Sequence, residues 1–311
     1  MRLALFVRNN ITSSSAAGFR SAPQGFKSQP QFRRHIFVTR TMSTTNGSAP
    51  NGAAAKNPNG KQEIKILMLH GYTQSGPLFR SKTRALEKLI AKSLGPFNIA
   101  PTLTYPTGPS KLSPRDIPGF VPDESGGDQD QDIDAWSWWR KDEASGSYRF
   151  LAEGVSAVAD AVREAGGDVD GVLGFSQGGA FAALLAAMLE TPHRDEAKIP
   201  EDLRAAVRAL REANGGRPFK FAVIYSGFFA PPDELRWAYE PRIKTPTLHF
   251  LGSLDTVVEE SRSRGLVDRC EDPLVVVHPG GHYVPITKEW AMPLIGFIKK
   301  IADEEKAKSN I

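Results

Sequence analysis

The stretch GVLGFSQGG, residues 171–179, followed without a break by AFAALLAAMLE at 180–190, decides how this chain is read. Its first five residues form an apolar run of strand length, and from Gln177 onward the composition turns to small and apolar helix formers. Where the two meet stands Gly174-Phe175-Ser176-Gln177-Gly178, a Gly-x-Ser-x-Gly motif in a strand-turn-helix setting. A turn that sharp forces its serine into a strained backbone conformation, and glycines on either side leave room that helix and strand would otherwise fill. The hydroxyl is then exposed above the end of a sheet. The first amides of the helix have no partner one turn back, so the Gln177 N–H is free to face an oxyanion. Ser176 is therefore the candidate nucleophile and Gln177 a candidate oxyanion donor.

On both sides of this motif, short apolar or β-branched runs alternate with helical periodicity. The strand candidates are 64–69, 98–103, 171–175, 220–225, 247–251 and 274–277; the helix candidates are 81–93, 149–165, 177–190, 201–214, 259–269 and 288–302. That alternation predicts an α/β fold with a mostly parallel, doubly wound sheet of about six strands and helices on both faces. It occupies residues 63–302, with 303–311 as a charged tail, and the Ala/Arg/Glu-rich stretch 191–217 reads as an exposed helix with no catalytic role because its charged residues outnumber its large apolar ones.

A nucleophilic serine needs a base, and the last strand candidate runs into His278-Pro279-Gly280-Gly281-His282. His282 lies on the glycine-rich loop past the strand end, where a side chain reaches across the carboxyl edge of the sheet; His278 still belongs to the strand. The base needs a carboxylate, and Asp255 follows the strand at 247–251 in Gly252-Ser253-Leu254-Asp255, with Asp233 as runner-up and Asp268 and Asp272 less well placed. Ser176, Asp255 and His282 then stand in the chain order of an α/β-hydrolase. The first strand ends in Leu69-His70-Gly71-Tyr72-Thr73, where a second oxyanion donor belongs; Tyr72 is the first choice and Thr73 the alternative. His70 reads as a residue that holds this loop, and His249 as core.

Residues 105–147 contain five prolines and little periodicity. Their alternating Asp128, Asp130, Asp132 and Asp134 invite a calcium reading, which fails because Ile133 stands where an EF-hand loop needs Gly and Trp139 where it needs Glu. A solvated acidic loop is expected instead. Trp136, Trp138 and Trp139 follow, and either pack this loop onto the domain or line an apolar pocket; Trp138 and Trp139 are the substrate-binding candidates.

The net charge of +4 does not belong to the folded part. Residues 1–60 hold eight basic residues and no acid; removing them from the chain's 39 basic residues leaves 31 against 35 acidic, about −4 for the remainder. The basic pI thus gives no ground for nucleic-acid binding. An Arg-, Ser- and Phe-bearing, acid-free segment has the composition of a mitochondrial transit peptide, with a disordered tail as the alternative reading of residues 1–62. Met42 offers a second start that would leave a short Ser/Asn/Gly/Pro-rich leader and a cytosolic protein. No apolar run approaches the length of a membrane span. The single cysteine, Cys270, excludes an internal disulfide and a thiolate zinc cage, and reads as a small buried hydrophobe.

Taken together, LMLHGYTQSG at 67–76, APTLTYPTGP at 100–109, the Trp cluster, GVLGFSQGG at 171–179, GSLDTVV at 252–258 and HPGGHYVP at 278–285 resemble the fungal FSH1 family of serine hydrolases. That family includes the ovarian-cancer-associated protein 2 and the thioesterases that release fungal polyketides. The resemblance implies an α/β-hydrolase with esterase or thioesterase activity, the triad Ser176, Asp255 and His282, no cofactor or metal, and a cytoplasmic or nuclear location. An acyl ester or thioester is the expected partner, with a carrier protein one way of presenting it. The alternatives are a peptidase of the same fold and a non-catalytic binding protein that keeps the pocket.

Overall fold

The central sheet grows outward from Gln62–Leu69 (β1), whose side chains alternate between two cores. Leu67 and Leu69 face one apolar cluster, while Ile64, Ile66 and Met68 face the other. A strand so covered on both faces belongs in the interior of a parallel sheet. In the computed structural model, which describes residues 60–120, 132–192 and 194–309, it does. These residues fall in one compact unit, Pro50–Ile311. The other sheet strands are Ile99–Thr104 (β2), Gly171–Phe175 (β3), Phe221–Tyr225 (β4), Thr247–Gly252 (β5) and Leu274–His278 (β6). They pair in parallel in the order β6-β5-β4-β3-β1-β2. The helices are Gly76–Leu94 (α1), Leu151–Glu164 (α2), Gln177–Leu189 (α3), Glu201–Ala213 (α4), Glu260–Val267 (α5) and Lys288–Ser309 (α6).

α1 and α6 cover one face of the sheet, and α2, α3 and α4 the other. All residues of α3 are buried, which its Gly, Ala and Leu composition permits. β1 has β2 on one side and β3 on the other, so strand order reverses there. In an open α/β sheet that reversal opens a crevice at the carboxyl ends of the strands, the usual place for a ligand. The loops after β1 and β3 are those that carry Tyr72 and Ser176.

Four expectations need correction. α1 begins at Gly76 rather than near 81, because Ser75 caps it by accepting the Leu78 amide at 3.3 Å and Pro77 suits a first turn. The charged tail expected at 303–311 is helical through Ser309, where pairs such as Lys299–Asp303 (2.5 Å) extend α6. α4, expected to be an exposed helix, buries Leu203, Ala206, Val207 and Leu210 in the core shared with α2. The long connection is also more ordered than its composition suggests. Ser110–Lys111 pairs with Trp136–Ser137 and Arg140–Lys141 with Tyr148–Arg149, two small antiparallel ribbons laid over the sheet edge.

Asp132 and Asp134 are not merely solvated. Asp132 pairs with Lys111, and Asp134 accepts the Ser75 hydroxyl at 2.6 Å and the Trp136 indole N–H at 2.9 Å. Asp128 and Asp130, like the whole of 1–59, lie outside the described residues. Cys270 is buried, which pushes its thiol pKa up to about 12. No helix among the described residues is long and apolar enough to cross a membrane.

Candidate active site

β3 ends at Phe175 and α3 starts at Gln177, leaving Ser176 at φ 54° and ψ −116°, a conformation rare for any residue with a Cβ. Its amide is anchored on the Tyr225 carbonyl at 2.8 Å. The flanking glycines are required by backbone contact. A Cβ on Gly174 would lie 1.9 Å from the Gly178 carbonyl oxygen, and one on Gly178 would lie 2.3 Å from that of Leu69. Strand β3, the start of α3 and the end of β1 therefore meet main chain to main chain, with Ser176 at the junction.

The structure brings Ser176, His282 and Asp255 into one hydrogen-bonded chain. His282 Nδ1 lies 2.8 Å from Asp255 Oδ2, and His282 Nε2 lies 2.9 Å from Ser176 Oγ. The carboxylate accepts Nδ1–H, which leaves Nε2 with its lone pair toward the serine hydroxyl. Asp255 Oδ1 accepts the amides of Val257 and Val258, each at 2.9 Å. Burial draws this carboxyl upward, but those amides and His282 outweigh burial and hold its pKa below the ordinary 3.8. The loops bearing acid and base are joined, since Ser253 N donates to His278 O at 2.9 Å and Leu254 N to Gly280 O at 3.0 Å. Phe175 packs on the His282 ring with centroids 4.8 Å apart.

Asp233, the runner-up acid, is exposed and engaged by Arg236 at 2.9 Å. His278 ends β6 and its Nδ1 accepts the Gly280 amide at 3.2 Å, so it shapes the loop that carries His282. Burial lowers its pKa, with Asp255 pulling the other way.

On the β1 side, the Thr73 amide donates to Trp136 O at 3.0 Å, which removes Thr73 as an oxyanion donor and leaves Tyr72. Gln177 begins α3, so its amide has no acceptor one turn back. Its side chain has a task the sequence did not disclose. Oε1 accepts the Trp138 amide at 2.9 Å and Nε2 donates to Trp139 O at 2.8 Å, clamping the tryptophan segment to the nucleophile turn. His70 holds the first loop as expected: Nδ1–H donates to Gly71 O at 2.8 Å and Nε2 accepts the Gly108 amide at 2.9 Å.

The two tryptophans offered as substrate-binding residues part company. Trp138 is wholly buried, donating its indole N–H to His70 O at 2.9 Å and packing on Phe181, so it supports the site from beneath and does not line it. Trp139 lines a cleft of about 680 Å³ that also includes Ser176 and Gln177. Tyr148 stacks on Trp139 at 5.0 Å and lines the same cleft, as do Phe228 and Arg262; nothing in the sequence pattern set these three apart.

A family model described as serine hydrolase (FSH1) matches residues 60–294. The chain belongs to this family. This FSH1 serine hydrolase is 30% identical over 253 residues to Esterase OVCA2 of Danio rerio, a match covering 76% of this chain and 97% of that protein. It is 32% identical over 227 residues to a Schizosaccharomyces pombe protein named dihydrofolate reductase, covering 71% of this chain but only 44% of that protein's length. Among solved structures, acyl-protein thioesterase 2 of Zea mays aligns with 79% of this chain and 96% of its own, at 21% identity and a TM-score of 0.47.

Proposed function

We propose that this FSH1 serine hydrolase cleaves carboxylic ester or thioester bonds through an acyl-enzyme intermediate, with Ser176 as nucleophile, His282 as general base and acid, and Asp255 as its orienting carboxylate. The observation that carries the reading is the hydrogen-bonded chain from Ser176 Oγ through His282 to Asp255 at the reversal point of the sheet. Ser176 Oγ attacks the carbonyl carbon while its proton passes to His282 Nε2. The carbonyl electron pair moves onto oxygen, which the amides of Tyr72 and Gln177 receive; one such donor is worth about 10²–10³ in kcat. When that pair returns, the bond to the alkoxide or thiolate breaks and the imidazolium protonates the departing group. Water then repeats the sequence on the acyl-serine, releasing the acid and restoring Ser176.

Ester cleavage leads over amide cleavage because the Danio rerio relative that this chain matches along 97% of its length is named an esterase. The test is covalent labelling with a fluorophosphonate probe, expected on the wild type and lost in Ser176→Ala. Labelling that persists in Ser176→Ala would remove the nucleophile assignment, and an unreactive wild type would favour a non-catalytic pocket.

A further inference from the structure

The cleft beside Ser176 has an uneven charge balance. Arg140, Lys141, Arg149 and Arg262 line it, together with Asp116, Asp142 and Glu143. Arg140 is paired with Asp116, and Lys141 with Glu143 at 3.2 Å. Arg149 lies within electrostatic reach of Asp142, whose Oδ1 also accepts the Ala144 and Ser145 amides. Arg262 remains. Among the described residues it forms no ion pair with a carboxylate, and on its own helix Glu260 is engaged by Arg264 at 2.6 Å.

Arg262 is nonetheless placed. Its guanidinium carbon sits 4.5 Å from the centre of the Phe228 ring, a cation–π seat that restrains the side chain while leaving N–H groups for an acceptor. Tyr148 lines the same cleft close enough to feel the Arg262 charge. Burial pushes its phenol pKa up to about 12 against that charge, so the hydroxyl is a neutral donor throughout the physiological range. A guanidinium fork and a phenol O–H on one cleft wall match the oxygens of a carboxylate or phosphate. Val257 and Pro118, which line the same cleft and are exposed, suit an apolar spacer between that anion and the reacting carbonyl.

Resting on the serine-hydrolase reading above, we propose that Arg262, assisted by Tyr148, binds an anionic group of the substrate, so that this enzyme selects esters or thioesters bearing a carboxylate or phosphate. The anion belongs either to the acyl group or to the leaving group, and two pairs of probes separate these. Mono-p-nitrophenyl glutarate is compared with p-nitrophenyl valerate for the acyl side, and butyryl-coenzyme A with S-butyryl-N-acetylcysteamine for the leaving side. In at least one pair the wild type should favour the anionic member in kcat/KM. Arg262→Gln should cut that anionic-to-neutral ratio by about 10- to 100-fold, chiefly through KM, as expected for a lost charge-assisted pair. Arg262→Lys should keep part of the preference, and Tyr148→Phe should lose a smaller share of it. Ratios unchanged by Arg262→Gln in both pairs overturn the proposal. If the fluorophosphonate still labels Ser176 in that case, only the anion site fails; a wild type that neither labels nor hydrolyses any probe overturns the serine-hydrolase reading as well.

Discussion

His70 Nε2 accepts the backbone amide of Gly108 at 2.9 Å, tying the loop after β1 to the start of the proline-rich connection. The bond requires a neutral imidazole, because Nδ1–H is already donated to Gly71 O and a second proton would occupy Nε2. Burial lowers the pKa of His70 to about 4, with the Gly71 carbonyl and Asp134 acting against burial. His249, buried in β5, is also lowered to about 4 by burial. Between about pH 6.5 and pH 4 the unfolded chain therefore binds more protons at these sites than the folded one, so stability is complete above the upper limit and falls as pH drops toward the lower. Each histidine contributes about 3 kcal/mol to that loss. Urea unfolding at pH 7, 5.5 and 4.5 should show a steep decline, and His249→Leu should have a shallower slope than the wild type. A stability independent of pH across that window would contradict the buried neutral state.

The two hydrogen bonds of Gln177 bridge the nucleophile turn and the tryptophan segment, and neither can be made by a hydrocarbon of similar size. Gln177→Leu leaves the Trp138 N–H and the Trp139 carbonyl buried without partners, costing about 2–4 kcal/mol. Thermal unfolding should shift down by roughly 5–10 °C, and kcat on a p-nitrophenyl ester should fall because Trp139 is released from the cleft wall. A variant with wild-type melting would show that the bridge is dispensable.

The sheet was legible because its six strands are short, mostly apolar or β-branched runs, broken only by residues such as Lys65 and His249, and the triad because its members follow strand ends in the order the fold demands. β3 has the expected bounds, and Ser176, Asp255 and His282 lie within hydrogen-bonding distance as their positions implied. What stayed hidden was non-local. Gln177 looked like a backbone donor alone, since its side-chain partners Trp138 and Trp139 are nearly forty positions away along the chain. Arg262 looked like one more charged residue on a polar helix; its seat on Phe228 and its place in the cleft exist only after α5 docks. The connection through 105–147 defeated periodicity because its ribbons are two residues long, too short to show alternation, and are held by partners such as Asp134 with Ser75.

Trp138 and Trp139 are both buried, so each substitution costs stability, and the cleft that Trp139 alone of the two lines is what separates them. Trp138→Ala empties a fully buried site beneath His70 and is expected to cost about 3–5 kcal/mol, seen as a large loss in unfolding free energy. Trp139→Ala opens the cleft wall against which Tyr148 stacks. With p-nitrophenyl esters of increasing chain length, Trp139→Ala should move the optimum to longer or bulkier acyl groups. The same optimum in Trp139→Ala and wild type would place the acyl group elsewhere in the cleft.

Asp255→Asn tests the carboxylate without removing its contacts to the main chain. Oδ1 accepts the Val257 and Val258 amides, so the asparagine must keep its carbonyl oxygen on that side; an NH2 group there would meet two N–H donors. Its NH2 then faces His282 Nδ1, where Oδ2 had accepted at 2.8 Å. The imidazole answers by placing its lone pair on Nδ1 and its proton on Nε2, which can no longer take the proton of Ser176. A fall of about 10³–10⁴ in kcat is expected, the cost of the wrong tautomer, while the melting temperature changes little because both amide bonds survive. In the wild type, Asp255 stays ionised below its ordinary 3.8, so any activity lost near pH 5 must come from another group. Activity in Asp255→Asn within tenfold of wild type would mean that another group fixes the His282 tautomer, and the assignment of Asp255 would have to be abandoned.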